Sequence, residues 1–162
     1  IFLNQFIDHT KKRHTTFFDS DKVVHLPSAE PFCNYLRNIL FLTASELDLS
    51  HHRNGTIVTI EGPRFSTRAE SHMFRKWGAE VVNMSTVPEV NLANEARICY
   101  ASIAMATDFD SWSDSEPVTF DEILRIMNKN VNKVKNLLIE TIPRIKNEEC
   151  ICKNKINENI IQ

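Results

Sequence analysis

The sequence between residues 55 and 70 reads GTIVTIEGPRFSTRAE and contains the clearest local signals of fold in the chain. Its β-branched run at residues 56–60 is typical of a buried strand. Gly62 belongs to a Gly-Pro pair that ends the strand, because such pairs favour turns. Thr67 and Glu70 then form the Thr-x-x-Glu pattern of a helix capping box. The stretch therefore predicts a strand, a turn and a helix in immediate succession.

The sequence on either side continues this alternation. Hydrophobic periodicity and turn residues divide it into further elements. We expect a buried strand at residues 1–7, an exposed loop at 9–24, a helix at 32–47, the central strand and helix at 56–60 and 67–77, a strand at 80–84, a helix at 88–97, a strand at 99–107 and a long helix at 119–141. Strands and helices that alternate at this spacing predict the α/β class.

Two of the predicted helices have a one-sided apolar stripe, as helices that pack on a core do. The expected inward-facing residues are Leu36, Leu40, Thr43 and Leu47 in the first of them, and Ile123, Met127, Val131, Val134 and Leu138 in the last. No repeat or linker interrupts the chain, so we predict one domain over residues 1–145. Residues 146–162 are rich in Lys, Asn and Glu and are predicted to be a divergent tail, helical or disordered.

The composition argues against several classes of function. The 19 basic and 21 acidic residues give a net charge of −2, which does not favour bulk binding of nucleic acid. No apolar run approaches the roughly 20 residues that a membrane-spanning helix needs, so no membrane partner is expected. The chain has only 3 glycines and begins Ile1-Phe2-Leu3 without methionine. We therefore expect no glycine-rich phosphate loop here, and we expect the N-terminal part of a longer protein to be missing.

The four cysteines, Cys33, Cys99, Cys150 and Cys152, occur without a secretory signal. Reduced thiols in a cytosolic protein are the expectation. The Cys150-x-Cys152 pair is compatible with a metal clip or a redox pair, but neither a histidine nor a second cysteine pair lies nearby in the sequence. Ordinary thiols are the favoured interpretation, and no metal site is predicted.

Sites in open α/β sheets lie beyond the carboxyl ends of the strands, and two predicted strand ends carry candidate binding residues. Phe65 and Ser66 follow the central strand, where an exposed ring can stack on a flat ligand and a hydroxyl can bond it. Ser85 and Thr86 precede a helix, where hydroxyls and free amides suit an anion. The alternatives are ordinary packing of Phe65 and helix capping by Ser85 or Thr86, and the local pattern alone favours them.

The third strand end carries two carboxylates, Asp108 and Asp110. Crowding and partial burial of two acids raise the affinity of one of them for a proton, which suits a general acid. The alternative, which the local sequence supports equally, is that both residues only begin a solvated loop.

Several longer motifs occur in the order that one enzyme family shows. They are Asp8 within DHT, HLPSAEPF at residues 25–32, TIEGPRFSTRAES at 59–71, NMSTVPEV at 83–90 and YASIAMATDFD at 100–110. Together they resemble the family of methylthioadenosine phosphorylases and trimeric purine nucleoside phosphorylases. The resemblance runs from about residue 4 to residue 143, and motifs of this length are highly specific.

The resemblance implies a nucleoside phosphorylase-like α/β fold, a mixed sheet or distorted barrel flanked by helices, assembled as a homotrimer. The implied reaction is phosphorolysis of S-methyl-5′-thioadenosine to adenine and 5-methylthioribose 1-phosphate, in methionine and purine salvage. Inorganic phosphate is a substrate of that reaction, and neither a cofactor nor a metal is implied. The implied location is the cytoplasm, with the nucleus as a further compartment.

The resemblance also assigns roles to the two acids. Asp108 would hold or protonate the imidazole side of the departing adenine, and Asp110 would accept a hydrogen bond from its exocyclic amine. An acid beside the purine is useful because bond cleavage places negative charge on the base. A 6-oxo purine would present an acceptor to Asp110, and such a polar mismatch can discriminate by about 10⁴. Adenine is therefore favoured over hypoxanthine and guanine.

The remaining implied roles concern binding. Phe65 would contact the face of the purine and Ser66 its edge, while Met84 would contact the ribose and Ser85 would bind phosphate. His25 would reach across a subunit interface to a neighbour's methylthio pocket. Phe120 and Ile123 would form an apolar wall for the base and the methylthio group.

Other functions fit parts of the same pattern. A purine nucleoside phosphorylase acting on inosine or guanosine is the nearest alternative, and a hydrolytic nucleosidase is a weaker one. From a different class, the chain could be a truncated, non-catalytic paralogue. We expect that these 162 residues alone do not catalyse phosphorolysis efficiently, and strong phosphate-dependent release of adenine by this polypeptide would contradict that expectation.

Overall fold

The protein is described by a computed structural model, which covers residues 1–18, 23–113, 119–146, 150–156 and 160–161. No helix in these ranges is both long and apolar enough to cross a membrane. The strands and α-helices are, in chain order, β1 (Gln5–His9), β2 (Val23–Val24), α1 (Asn34–Glu46), β3 (Thr56–Ile60), α2 (Arg68–Lys76), β4 (Val81–Asn83), α3 (Thr86–Glu95), α4 (Phe120–Thr141) and β5 (Ile160–Ile161).

The central sheet is parallel and has the strand order β1-β3-β4. Its register pairs Ile7 with Val58, and Val58 in turn with Val82. The carboxyl ends of all three strands therefore meet at one edge of the sheet, where a binding site is expected. The two short strands β2 and β5 pair antiparallel in a second sheet. Because strands and helices alternate around a parallel sheet, the predicted α/β class is confirmed.

Strand β3 is covered on both faces, which fits its run of β-branched residues without a charged side chain. Successive side chains of a strand point to opposite faces. Ile57 packs in one cluster with residues of α3, including Val90. Val58 and Ile60 pack on the other face with Phe74 of α2. The helices that follow β3 and β4 thus cover opposite sides of the sheet and hold the strand ends in place.

A third cluster joins the first and last long helices. Leu40 and Ala44 of α1 pack with Leu137 of α4 and with Phe2. Leu137 is the buried apolar residue of this part of α4, so the predicted stripe through Met127, Val131 and Leu138 is wrong by one position. Those three side chains are 39–41% exposed. The inward face includes Ile123 and Val134, as predicted, together with Ile126 and Asn130, and all four are half-buried.

Two predicted strands differ from the structure. The first is shifted, because β1 begins at Gln5 rather than Ile1. Residues 1–3 lie instead beside residues 102–104, where Leu3 N–H donates to Ser102 O and Ala104 N–H donates to Ile1 O. Only a single bridge, between Phe2 and Ile103, forms there, so the apolar segment 99–107 is not the predicted strand. A strand needs a longer ladder of partners than these three residues provide.

The predicted boundaries of the central helix are confirmed at both ends. Thr67 caps α2 by accepting from Glu70 N–H, and the Glu70 carboxylate accepts in return from Thr67 N–H. Gly78 follows the helix with φ +83°, the left-handed conformation that glycine adopts at little cost. Thr119 caps α4 in the same way, by accepting from Glu122 N–H.

The segment after α4 contacts the body of the domain at several points. Lys146 N–H donates to the Tyr35 hydroxyl at 2.9 Å. A short 3₁₀ helix, Ile151–Lys153, is followed by the buried Lys155, whose ammonium donates to Glu30 O at 2.7 Å. The described part of the tail thus contains one 3₁₀ turn, and the pairing of β5 with β2 was not predicted.

Candidate active site

A cleft of about 890 Å³ opens at the carboxyl ends of β3 and β4. Its walls come from the turn after β3, from α2, from β4 and from the loop that follows residue 106. Five of the residues predicted from the sequence line it together, namely Phe65, Ser66, Met84, Asp108 and Asp110. The fold therefore brings together side chains that lie up to 45 positions apart in the sequence.

The turn after β3 presents an aromatic ring and a hydroxyl to this cleft. The Phe65 side chain is 79% exposed, so ordinary packing in the core does not explain it. Ser66 is buried, and its Oγ has no hydrogen-bond partner among the described residues. The Oγ of Ser71, which also lines the cleft, is buried and unpartnered in the same sense. A buried polar atom without a partner is costly, so a bound ligand with polar groups would satisfy these hydroxyls.

A bidentate ion pair fixes this turn to the start of α2. Both terminal nitrogens of Arg64 donate to the Glu70 carboxylate at 2.7 Å. The same carboxylate accepts from Thr67 N–H at 2.8 Å. The hydrogen bonds from Arg64, with that from Thr67, lower the pKa of Glu70 to about 2. The carboxylate is thus held ionised while it joins the Phe65 turn to its helix.

We expect Glu70→Gln to lower the melting temperature only where Glu70 is ionised. The pKa of Glu70 falls on folding, from 4.5 to about 2. Its contribution to stability is therefore complete above about pH 4.5 and is lost as the pH falls towards 2. Thermal unfolding of both proteins between pH 2 and 7 measures this, with Glu140→Gln, at an exposed position of α4, as the control. A difference in melting temperature that did not change with pH would contradict the assignment.

Gly62 and Met84 approach closely below the cleft. Gly62 has φ +71°, and a Cβ atom there would lie 2.6 Å from the Met84 Sδ. Gly78 has a similar φ of +83°, but no atom lies within 4 Å of the corresponding Cβ position. The backbone conformation thus favours glycine at position 62, and a larger residue there would also displace the Met84 side chain.

The two glycines form a matched pair for mutation. Gly78→Ala should cost about 1–2 kcal/mol of stability because of the left-handed backbone alone. Gly62→Ala should cost about 1 kcal/mol more, since the flexible Met84 side chain must move away. Denaturant unfolding of both variants measures the difference. Equal losses would show that Met84 does not constrain position 62.

Asn83 organises the end of β4, and sequence reasoning did not single it out. Thr59 Oγ donates to Asn83 Oδ1 at 2.9 Å, and Asn83 Nδ2 donates to Thr86 Oγ at 2.6 Å. Asn83 Nδ2 also reaches Ser85 Oγ, at 3.4 Å. Ser85 is the N-cap of α3, but its hydroxyl makes no capping hydrogen bond. The exposed Ser85 hydroxyl thus lies next to Met84 and is free of the structural role that the local sequence favoured.

The loop with the two acids folds back onto α2. Ser111 Oγ donates to Ser66 O at 2.9 Å. The Arg75 guanidinium lies over the Trp112 ring, 3.7 Å from its centre, in a cation–π contact. Arg75 and Trp112 both line the cleft. These contacts were not predicted, because no local pattern relates residue 75 to residue 112.

The acids themselves differ in exposure. Asp108 is exposed, and its Oδ1 accepts from Thr107 Oγ at 2.6 Å. Asp110 is half-buried, and its backbone carbonyl accepts from Ser113 N–H. Both side chains line the cleft, with Phe109 between them in the sequence. The expected role of one of these acids as a general acid stays a prediction.

The remaining predicted residues are placed elsewhere. His25 is exposed and does not line the cleft of this chain. Ile123 is half-buried on α4 and likewise does not line the cleft. The side chain of Phe120 lies outside the part of the chain that the structure describes.

The family of the chain follows from a comparison of its whole sequence. A model of the phosphorylase superfamily matches residues 1–143. The chain therefore belongs to the phosphorylase superfamily, as the motifs predicted.

Curated relatives of the chain carry the name of one enzyme of that family. The S-methyl-5′-thioadenosine phosphorylase of Danio rerio is 53% identical over 151 residues, which cover 90% of this chain and 54% of the relative. That of Pyrococcus horikoshii is 52% identical over 153 residues, which cover 94% of this chain and 59% of the relative. The chain thus spans between half and three-fifths of the length of these relatives.

Solved structures of similar proteins show the same fold. Methylthioadenosine phosphorylase from Schistosoma mansoni, in complex with adenine, is 42% identical with a TM-score of 0.83, and the match covers 91% of this chain and 60% of that one. A methylthioadenosine phosphorylase from an Antarctic soil metagenomic library is 33% identical with a TM-score of 0.90, covering 99% and 58%. The predicted nucleoside phosphorylase-like fold is confirmed.

Proposed function

We propose that the full-length natural protein that carries these residues catalyses phosphorolysis of S-methyl-5′-thioadenosine. The products are adenine and 5-methylthioribose 1-phosphate. The observation that carries the proposal is the cleft itself, in which an exposed aromatic ring faces the same space as two carboxylates. Curated relatives with identities above 50% have this activity as their name, which supports the choice of substrate.

The base of the substrate occupies the part of the cleft between the Phe65 turn and the acid loop. The exposed Phe65 ring provides an apolar face for the purine. The unpartnered Ser66 hydroxyl lies beside it and bonds a polar edge of the base. Asp110 accepts from the exocyclic amine, which selects a 6-amino purine over a 6-oxo purine. From the family resemblance, we assign Phe120 and Ile123 to the apolar side of this pocket in the full-length protein.

The reaction exchanges one bond to the anomeric carbon for another. A phosphate oxygen attacks C1′, and the bond from C1′ to the purine nitrogen breaks with its electron pair remaining on the base. Asp108 delivers a proton to the imidazole side, so adenine leaves as a neutral molecule. The phosphate anion balances the positive charge that develops on the sugar. Phosphate is a substrate, and we propose that neither a cofactor nor a metal takes part in the chemistry.

Phosphate binds at the end of β4, beside the sugar. The exposed Ser85 hydroxyl makes no capping hydrogen bond, so it is available to a phosphate oxygen. The first turn of α3 adds little to this site, because Val87 is non-helical and Pro88 has no amide hydrogen. Asn83 holds the end of β4 in place through its hydrogen bonds with Thr59 and Thr86. Met84 lines the cleft between the two and contacts the ribose.

We also propose that the protein assembles as a homotrimer. His25 is exposed and does not line the cleft of its own chain, so the contact with substrate that the family resemblance assigns to it would be made in a neighbouring subunit. Apolar side chains exposed on α4, including Met127 and Val131, support a covered surface in the assembly. Light scattering of the full-length protein is expected to give about three times the mass of one chain. A monomeric mass with full activity would contradict the proposal.

A turnover assay tests the reaction directly. The full-length protein is supplied with methylthioadenosine or inosine, each with and without phosphate. Adenine released only with phosphate supports the proposal. Release of adenine without phosphate indicates a nucleosidase, cleavage of inosine indicates the purine nucleoside phosphorylase, and a trimer with no turnover on either substrate indicates the non-catalytic paralogue.

A further inference from the structure

Four cysteines from three separate parts of the chain meet at one place in the fold. Cys33 is the N-cap of α1, Cys99 follows α3, and Cys150 and Cys152 lie in the segment after α4. Cys33 and Cys152 are buried, and the other two are half-buried. Their four Sγ atoms all lie within 4.8 Å of one another. In the sequence, the Cys150-x-Cys152 pair has no further ligands nearby. The fold brings two more thiols to it, those of Cys33 and Cys99.

The spacing of the sulfur atoms fits a tetrahedral metal site. Zinc forms bonds of about 2.3 Å to thiolates, so its four ligands lie at the corners of a tetrahedron with edges of about 3.8 Å. The Sγ atoms of Cys33 and Cys150 are 3.5 Å apart, and no pair in the cluster exceeds 4.8 Å. All four residues are free thiols, so each has a ligand atom to offer.

The type of ligand selects the metal. Four soft thiolates without an open position are typical of a structural zinc site. The thiolate of Cys33 would lie at the N-terminus of α1, where the helix dipole stabilises negative charge. The buried ammonium of Lys155, three positions after Cys152, brings a positive charge to the same segment. It is held by Glu30 O and Asn94 Oδ1, which lie shortly before the other two cysteines in the sequence.

We propose that Cys33, Cys99, Cys150 and Cys152 bind a structural zinc ion that fastens the segment after α4 to the start of α1 and the end of α3. Four S–H bonds are replaced by four Zn–S bonds, and the protons pass to solvent, so no oxidant or reductant is needed. None of the four cysteines lines the cleft. The zinc ion therefore acts on the stability of the fold and not on the proposed phosphorolysis.

Metal content tests the proposal on the full-length protein, purified without chelator and loaded with Zn²⁺ under reducing conditions. We expect about one zinc ion per chain by elemental analysis after removal of free metal. Cys152→Ser should lower that content by about tenfold. Cys150→His should retain it, because imidazole nitrogen is also a zinc ligand. Leu40→Ala, which destabilises the core but leaves the thiols in place, controls for general destabilisation and should retain zinc as well.

Three results would overturn the proposal. The first is a chain that holds no zinc and reacts with a thiol reagent at all four cysteines. The second is a chain without zinc whose mass before reduction is lower than that of the reduced chain by two hydrogens per disulfide. The third is equal zinc content in the native protein and in Cys152→Ser, since the metal would then be bound elsewhere.

Discussion

Asp108→Asn in the full-length protein is expected to lower kcat for phosphate-dependent release of adenine from methylthioadenosine by about 10²–10⁴. Asparagine has nearly the same shape as aspartate, but it cannot deliver a proton to the departing base. Asp108 lines the cleft and receives a hydrogen bond from Thr107, which asparagine can also accept. KM should therefore change much less than kcat, and steady-state kinetics with both substrates varied separates the two.

Asp48→Asn is the matched control for this variant. Asp48 is exposed and has φ +50°, a conformation that asparagine tolerates well. The control should retain the native kcat and melting temperature. If Asp108→Asn also retained the native kcat, Asp108 would not be the proton donor, and the loop would serve binding alone.

Asp110→Asn is expected to change which purine is accepted. The carboxylate of Asp110 only accepts hydrogen bonds, whereas the amide of asparagine can also donate one to a 6-oxo group. We expect the ratio of kcat/KM for methylthioadenosine to that for inosine to fall by about 10² or more, within the roughly 10⁴ that polar mismatch can supply. Parallel assays of the two substrates with phosphate measure this ratio.

The same control protein serves the selectivity experiment. Asp48→Asn should keep the native ratio of the two specificity constants, because residue 48 does not line the cleft. An unchanged ratio in Asp110→Asn would exclude Asp110 as the residue that recognises the 6-amino group. A loss of activity on both substrates in equal proportion would assign it to the reaction step and not to selection.

Local sequence determines the best-predicted elements. The bounds of β3 agree with the prediction at both ends, because its β-branched run lies between the turn residues Gly55 and Gly62. The capping box of α2 is complete within the four residues from Thr67 to Glu70, so it needs no knowledge of the rest of the chain. Such short-range hydrogen bonds can be predicted from the few residues that form them.

The inward face of α4 could not be chosen from hydrophobicity alone. The helix has apolar residues on two faces, and the exposed Met127 and Val131 have the same spacing as a buried stripe. Asn130 marks the true inward side, since its amide donates to Ala106 O at 3.0 Å. A hydrophobicity pattern assigns a polar residue to the outward face. The prediction was therefore displaced by one position at Met127, Val131 and Leu138, whereas Ile123 and Val134 were placed correctly.

Only those residues of the candidate site that lie within a sequence motif could be predicted. The motifs supplied Phe65, Met84 and the two acids, and the parallel strand ends bring them to one cleft. Arg75 and Trp112 were missed because their contact joins elements 37 positions apart. The four cysteines were missed as a cluster for the same reason, since only the fold shows which distant thiols meet.

The position of Trp112 in the cleft wall, under the Arg75 guanidinium, allows the cleft to be monitored by tryptophan fluorescence. The chain has only 2 tryptophans, and Trp112 is the one that lines the cleft. Trp77, at the end of α2, contacts His9 and Phe74 and does not line the cleft. In a Trp77→Phe protein, all indole emission would come from the wall of the cleft. Occupancy by a nucleoside could then be followed by fluorescence titration, without labels and without turnover.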